Sequence, residues 1–304
     1  MTYILRRLLT VVPVLLAVSF IAFGMLHLSG DPVLLMLPPD ATMEQVAAFR
    51  AEYGFDDPFL EQYARFLKGA LRGDLGRSIR YNQPALELVL QRFPLTLRLA
   101  GVSVLFAVLL GLPMGIYAAI RRGSPVDAAV SVLAVAGQSM PNFWLGFLLI
   151  YVFAIMLRWL PTSGGGGIRH VILPAATIAF NIMALFTRMT RSSFLEALGE
   201  DYVRTARSKG IKEFAVMTVH VARNAMLPII TVVALQFGYI LGGAVVVETL
   251  FAWPGLGLLT IQAIYNRDYP VTQAAVLFLA VCFVLINLIV DIICRFLDPR
   301  IGEK

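Results

Sequence analysis

Apolar positions in this chain come in blocks of about twenty, not in the alternating or one-face patterns of soluble strands and helices. The blocks run from Leu8 to Leu28, Leu95 to Ile120, Ala128 to Leu157, Val171 to Met189, Leu227 to Val247 and Thr272 to Cys294. At a rise of about 1.5 Å per residue, such a block spans the ~30 Å hydrocarbon layer of a bilayer. The ~10-residue alternation of a membrane β-barrel is absent. The pattern predicts an all-α membrane protein with about six transmembrane helices. The third block is too long for one straight crossing. Its "GQSMPNFW" puts Gly137 and Pro141 in mid-helix, where a kink or break, and even a short seventh segment, is expected.

Composition supports this. The 304 residues are 59% hydrophobic and 14% charged, against roughly a quarter charged in a soluble domain. The formal net charge of +6 would suggest nucleic acid in a soluble protein, but here the basic residues sit between the blocks. Arg6 and Arg7 precede the first, Arg121 and Arg122 separate the second from the third, a basic run from Arg188 to Arg223 separates the fourth from the fifth, and Arg295, Arg300 and Lys304 close the chain. With six crossings these places share one side, which the positive-inside rule makes cytoplasmic, with both termini there. The first block follows a charged "LRRLL" as a secretory signal would, but its length and lack of an A-x-A site predict a retained anchor. Three regions follow: 1–28, the N-terminal end and first span; 29–94, a small periplasmic cap with helical spacing in "FLEQYARFLKGAL" and more acidic than basic residues; and 95–304, the remaining transmembrane domain.

The candidate chemistry is sparse. There is no G-x-x-x-x-G-K-[ST] phosphate loop, and "SGGGG" at 163–167 lacks the lysine, so it reads as an outer turn. His27, His170 and His220 are dispersed. Cys282 and Cys294 are ~18 Å apart along one helix, too far to pair. No metal site and no catalytic constellation is expected. Ionisable residues such as Arg188, Glu248 and Asp291 fall near the ends of blocks, which disfavours an ion-coupled secondary transporter, the alternative from a different class. Only the amides Asn142, Asn181, Gln236 and Asn287 fall deeper. Three of them, Asn142, Asn181 and Gln236, are candidate passage-lining residues, although such amides also serve as interhelical hydrogen-bond partners.

One polar stretch breaks the apolar pattern, "EDYVRTARSKGIKEFAVMTVHVARNAMLP" at 200–228, within a cytoplasmic loop at 190–226. "EDYVRTARSK" fits a short helix with Arg204 and Arg207 on one face, and Gly210 fits a left-handed C-cap. "IKEFAVMTVHVARN" then reads as a second short helix up to Pro228, which would open the next span. On its residues alone this hairpin could be a basic loop resting on anionic lipid.

The stretch resembles the cytoplasmic loop of ATP-binding-cassette importer permeases of the peptide and nickel branch. Arg204, Thr205 and Ala206 stand where that superfamily's Glu-Ala-Ala triplet would be, Gly210 holds its glycine and Leu227-Pro228 its Leu-Pro, with a longer Gly-to-Pro interval than in sugar importers. "SGDPV", "GDLGRS", "SMPNFWLGFLL", "ETLFAWPGLG", "NRDYPV" and "DPRI" follow the order of the first permease subunit of that branch. The resemblance implies a multi-pass, non-enzymatic subunit of the bacterial inner membrane. It would form a passage with a second permease for dipeptides or oligopeptides delivered by a periplasmic binding protein, with nickel or glutathione as alternative cargo. ATP and Mg would reside on two separate ATPase subunits and no cofactor on this chain. Contacts with an ATPase would come from Glu200, Asp201, Tyr202, Arg204, Thr205, Ala206, Arg207, Lys209 and Gly210.

Overall fold

The computed structural model describes residues 2–28, 37 and 41–297. The stretches "SGDPV" and "DPRI", with Arg300 and Lys304, lie outside the described residues, as do the side chains of Arg6, Arg7, His27, Cys294 and Arg295. The helices are α1 (Thr2–Leu28), α2 (Met43–Tyr53), α3 (Phe59–Ala70), α4 (Ala85–Ile120), α5 (Pro125–Ser139), α6 (Asn142–Leu149), α7 (Ile168–Gly199), α8 (Asp201–Ser208), α9 (Glu213–Ala215), α10 (Ala222–Gly243), α11 (Val245–Leu250), α12 (Leu256–Tyr265) and α13 (Tyr269–Leu297). Wider π-helical turns extend α6 over Ile150–Met156 and join α9 to α10 over Val216–Val221. Each expected apolar block lies on one or two of these helices.

The third block is broken where its proline sits. α5 and the α6 rod meet at 106°, because Pro141 has no N–H for the carbonyl of Gly137 and disfavours a helical conformation at Met140. Met140 is accordingly extended, at φ −88° and ψ 121°.

The fifth block differs from expectation. Pro228 does not open it: the helix runs continuously from Glu213 to Gly243, with Pro228 inside. The second arm of the expected hairpin is therefore the root of a membrane span, and only α8 is a separate short helix. A proline is tolerated in such a helix when neighbouring groups re-satisfy the backbone, and Pro228 is flanked by Ala225 and Ile229, which are buried in the cluster with α7 and α8.

The chain divides into two compact units. One comprises Met1–Thr96 and Pro254–Val284. In it, α2 is closed by a capping box, Thr42 Oγ1 accepting from the Gln45 N–H and Gln45 Oε1 from the Thr42 N–H, and ends at Gly54 with φ +65°. α3 turns Phe59 and Tyr63 edge-on to Phe20 and Phe23 of α1, with ring centroids 5.2–5.6 Å apart. The hydroxyl of buried Ser19 meets Tyr63 Oη at 2.8 Å. So α3 lies along the first span. A core of Leu75, Leu88, Val89, Leu256, Leu259 and Val271 holds the start of α4 to α12 and α13.

The other unit comprises Leu97–Trp253 and Leu285–Lys304. Its spine is α7, which buries residues from Val171 to Ala197 on most of its circumference. Small residues let neighbouring helices approach: a Cβ on Gly115 of α4 would stand 2.6 Å from the Thr187 carbonyl oxygen, and one on Gly137 of α5 would stand 3.0 Å from Ala184 Cβ. Asp127, the buried first-turn acid of α5, receives Arg191 of α7 at Nε–Oδ1 2.5 Å and Nη2–Oδ2 2.9 Å, and caps the Gly123 N–H.

Candidate functional site

The polar segment is built around Gly210. α8 ends in a Schellman arrangement: the Gly210 N–H donates to the Arg207 carbonyl at 2.9 Å and the Ile211 N–H to the Ala206 carbonyl at 3.3 Å. Such a closure requires a left-handed residue, and Gly210 has φ +74°. Space does not demand glycine, since a Cβ there would meet nothing within 4 Å; the backbone conformation alone does.

The two faces of α8 are unlike. Val203 and Ala206 are buried against Val216, Val221, Ala225 and Ile229 at the root of α10, with Phe194 and Ala197 of α7. Asp201, Arg204, Thr205, Arg207, Lys209 and Gly210 face outward. The Asp201–Arg204 pair is long, 3.7 Å, and fully solvated, so it contributes little. Arg207 instead spans the turn to Glu213, which raises its guanidinium further above the usual value and keeps it charged. Glu213 is a residue that the sequence reading missed: its spacing of six from Arg207 matches no helical neighbour rule, because the pair closes over a turn. Glu200 and Tyr202 join Glu196 and Asn224 around a cavity of about 260 Å³ beneath α8, and Tyr202 Oη is buried without a partner.

The three amides singled out in the sequence converge. Asn142 opens α6, Asn181 lies on α7 and Gln236 on α10, and together with Ile178, Ile182, Tyr239 and Ile240 they line one cavity of about 310 Å³. Asn181 Nδ2 donates to the Gly137 carbonyl at 3.4 Å, which is the acceptor left open by Pro141. Asn142 Oδ1 is buried without a hydrogen-bond partner. Tyr239 was missed by the sequence reading, although its position three residues after Gln236 puts it on the same face of α10. Glu248, expected near a helix end, is fully buried in the first turn of α11.

Residues 111–303 match the family described as binding-protein-dependent transport system inner membrane component, and residues 1–100 match the N-terminal part of such membrane components. The chain belongs to this family. The permease is 43% identical, over the full length of both chains, to the glutathione transport system permease protein GsiC of Salmonella paratyphi A, and 42% identical to that of Escherichia coli (strain K12). Among solved structures it resembles the inward-facing MetNI methionine ABC transporter, with TM-score 0.59, 19% identity and coverage of 69% of this chain and 96% of that one. An amino acid ABC transporter gives TM-score 0.55, 20% identity and coverage of 69% and 94%. At these identities the structural likeness shows the fold.

The permease is thus a multi-pass protein of the bacterial inner membrane and the membrane-spanning subunit of an ATP-driven importer. It is not itself an enzyme; ATP hydrolysis lies in separate subunits. The ion-coupled alternative is set aside by the same membership. Its family implies a binding protein, ATPase subunits and a second permease as partners.

Proposed function

We propose that this permease carries short peptides, a class that includes the tripeptide glutathione, and that α8 transmits the ATPase cycle to its helices. Two ATPase chains, holding ATP and Mg, would work beneath a pair formed by this chain and a second permease. Cargo would arrive on a periplasmic binding protein near the region 29–94. The observation that carries the reading is the construction of α8. Its inner face is packed into the root of α10 through Val203 and Ala206, while its outer face offers Arg204, Thr205, Lys209 and the exposed Gly210 turn to a partner. A helix held in this way moves with the span and cannot bend independently of it, so closure of an ATPase pair against it would rock α10 and α7.

Asn142, Asn181 and Gln236 would line this chain's share of the passage. Nickel fits less well, since the lining contains no His, Cys, Asp or Glu, the groups that first-row metals favour. The test is uptake by proteoliposomes holding the complete complex, with ATP inside and glutathione or trialanine loaded on the binding protein outside. ATP-dependent accumulation of a peptide is expected, and loss of it when α8 is uncoupled by substitution at Gly210. Accumulation of Ni²⁺ alone, or full uptake by Gly210→Val, would overturn the reading.

A further inference from the structure

We infer that the cavity between α6, α7 and α10 is a recognition site for peptide groups, in which Gln236, Asn142 and Tyr239 read the N–H and C=O of a passing backbone. The inference rests on the peptide-importer reading above and adds selectivity to the permease itself, where delivery alone would make it a passive conduit.

Three observations converge on it. The first is chemical: the polar lining consists of three primary amides and one phenol, set among Ile178, Ile182 and Ile240. Each amide offers two donors and a carbonyl acceptor, the same groups that a peptide backbone presents in complementary order. With no charged side chain in the lining, the site has no ion-pair grip on a metal ion or an isolated charge, and hydrogen bonding to neutral groups is what remains.

The second is an unspent acceptor. Asn142 Oδ1 is buried and has no partner, an unfavourable state unless something supplies a donor. A peptide N–H is such a donor. The third is rigidity. The break at Pro141 sets the start of α6, and Asn181 holds the broken end in place through the Gly137 carbonyl. Asn181 is therefore a positioning residue, and Asn142 sits on a fixed corner. Gln236 and Tyr239 reach in from α10, the helix rooted at α8. The cavity of about 310 Å³ lies at the lower end of the ~300–1,000 Å³ range of small-molecule sites, in keeping with a short stretch of backbone.

The test compares the maximal uptake of two probes, trialanine and trialanine methylated at its peptide nitrogens, each saturating the binding protein in proteoliposomes of the complete complex. Methylation removes the N–H donors and leaves the side chains. Gln236→Met keeps the length of the side chain and deletes its amide, and Tyr239→Phe deletes only a hydroxyl from an exposed ring. The wild type should favour trialanine, and that preference should shrink about two- to tenfold in each variant, the worth of one hydrogen bond. Because the binding protein is common to all arms, a change in the ratio belongs to the permease. Trialanine uptake by the wild type with an unchanged ratio in both variants would overturn this inference alone. Uptake of Ni²⁺ in place of either peptide would overturn the peptide reading as well.

Discussion

Arg207 and Glu213 clasp each other across Gly210, Nη2 lying 2.6 Å from Oε1 and Nε 3.1 Å from Oε2. The clasp joins the end of α8 to the first turn of α9, so the Schellman turn is bridged by side chains as well as by its own backbone. Both side chains are substantially exposed, and an exposed pair of this kind adds little to global stability. Its consequence is geometric: it restricts the angle at which α8 leaves the span.

That geometry predicts the outcome of a charge swap. Arg207→Glu places two carboxylates across the turn and should lower ATP-dependent uptake about tenfold or more, with membrane insertion at wild-type levels. The double variant Arg207→Glu with Glu213→Arg restores the attraction and should recover most of the uptake. If Arg207 instead contacts an ATPase directly, the swap will not rescue. Uptake by the single and double variants in matched membranes distinguishes the two roles.

Gly210 gives a second, independent prediction. Open space around it means that side-chain size is not the limit; a φ of +74° is. Gly210→Asn, which tolerates the left-handed region, should retain much of the uptake, whereas Gly210→Val should lose nearly all of it. Gly210→Ala should fall between, at about 1 kcal/mol of local strain. Lys212→Ala, an exposed change outside the turn, should have little effect. A basic loop resting on lipid predicts the reverse ranking, and uptake across the four variants decides between them.

The residues that were legible in the sequence are those whose role is set locally. Gly210 followed a short polar helix and preceded a new one, which is enough to specify a C-cap. Pro141 inside an overlong apolar block was enough to specify a break. Pro228 was misread for the same local reason: taken alone a proline opens a helix, but here it sits between Ala225 and Ile229, whose packing carries α10 through it. Depth in the apolar blocks singled out Asn142, Asn181 and Gln236 as candidate lining residues, but the geometry of their meeting was not legible. It depends on a 106° bend and on three helices far apart in sequence. The contacts of Asp268 with Ser78, Ile79 and Arg80 were equally invisible, since they link positions 188 to 190 apart.

Close approach of α4 to α7 makes a stability prediction. Gly111 and Gly115 stand four apart, and a Cβ on either would press on backbone, 2.9 Å from the Met183 carbonyl oxygen and 2.6 Å from that of Thr187. Backbone cannot turn aside as a side-chain tip can, so the helices must separate. Gly115→Ala should cost about 1–3 kcal/mol, as overpacking does, and Gly115→Leu should prevent recovery of folded protein. Gly101→Ala on the same helix meets nothing within 4 Å and should be neutral or stabilising. Thermal unfolding of the two alanine variants in detergent, followed by loss of monodisperse protein, would expose a wrong assignment if Gly101→Ala and Gly115→Ala behaved alike.

Asp268 makes the last prediction, in the other unit. It is 2% exposed and gathers donors from the segment before α4: Ser78 Oγ at 2.5 Å, the Ile79 N–H at 3.2 Å and the Arg80 N–H at 3.3 Å. Arg80 reaches past it to Asn266 Oδ1, also at 2.5 Å. One carboxylate thus fixes residues 78–80 to the connection between α12 and α13. Removing it leaves buried donors unpaired, at about 1–3 kcal/mol each where water cannot enter. Asp268→Asn is the sharper probe, because it keeps the size but can turn an amide N–H toward groups that themselves donate. Both Asp268→Ala and Asp268→Asn should expose residues 77–84 to limited proteolysis and lower the unfolding temperature by several degrees. Arg80→Ala, which removes only an exposed contact, should do neither. A protease-resistant Asp268→Ala would show that the local core of Leu75, Leu88 and Val89 holds the segment without the carboxylate.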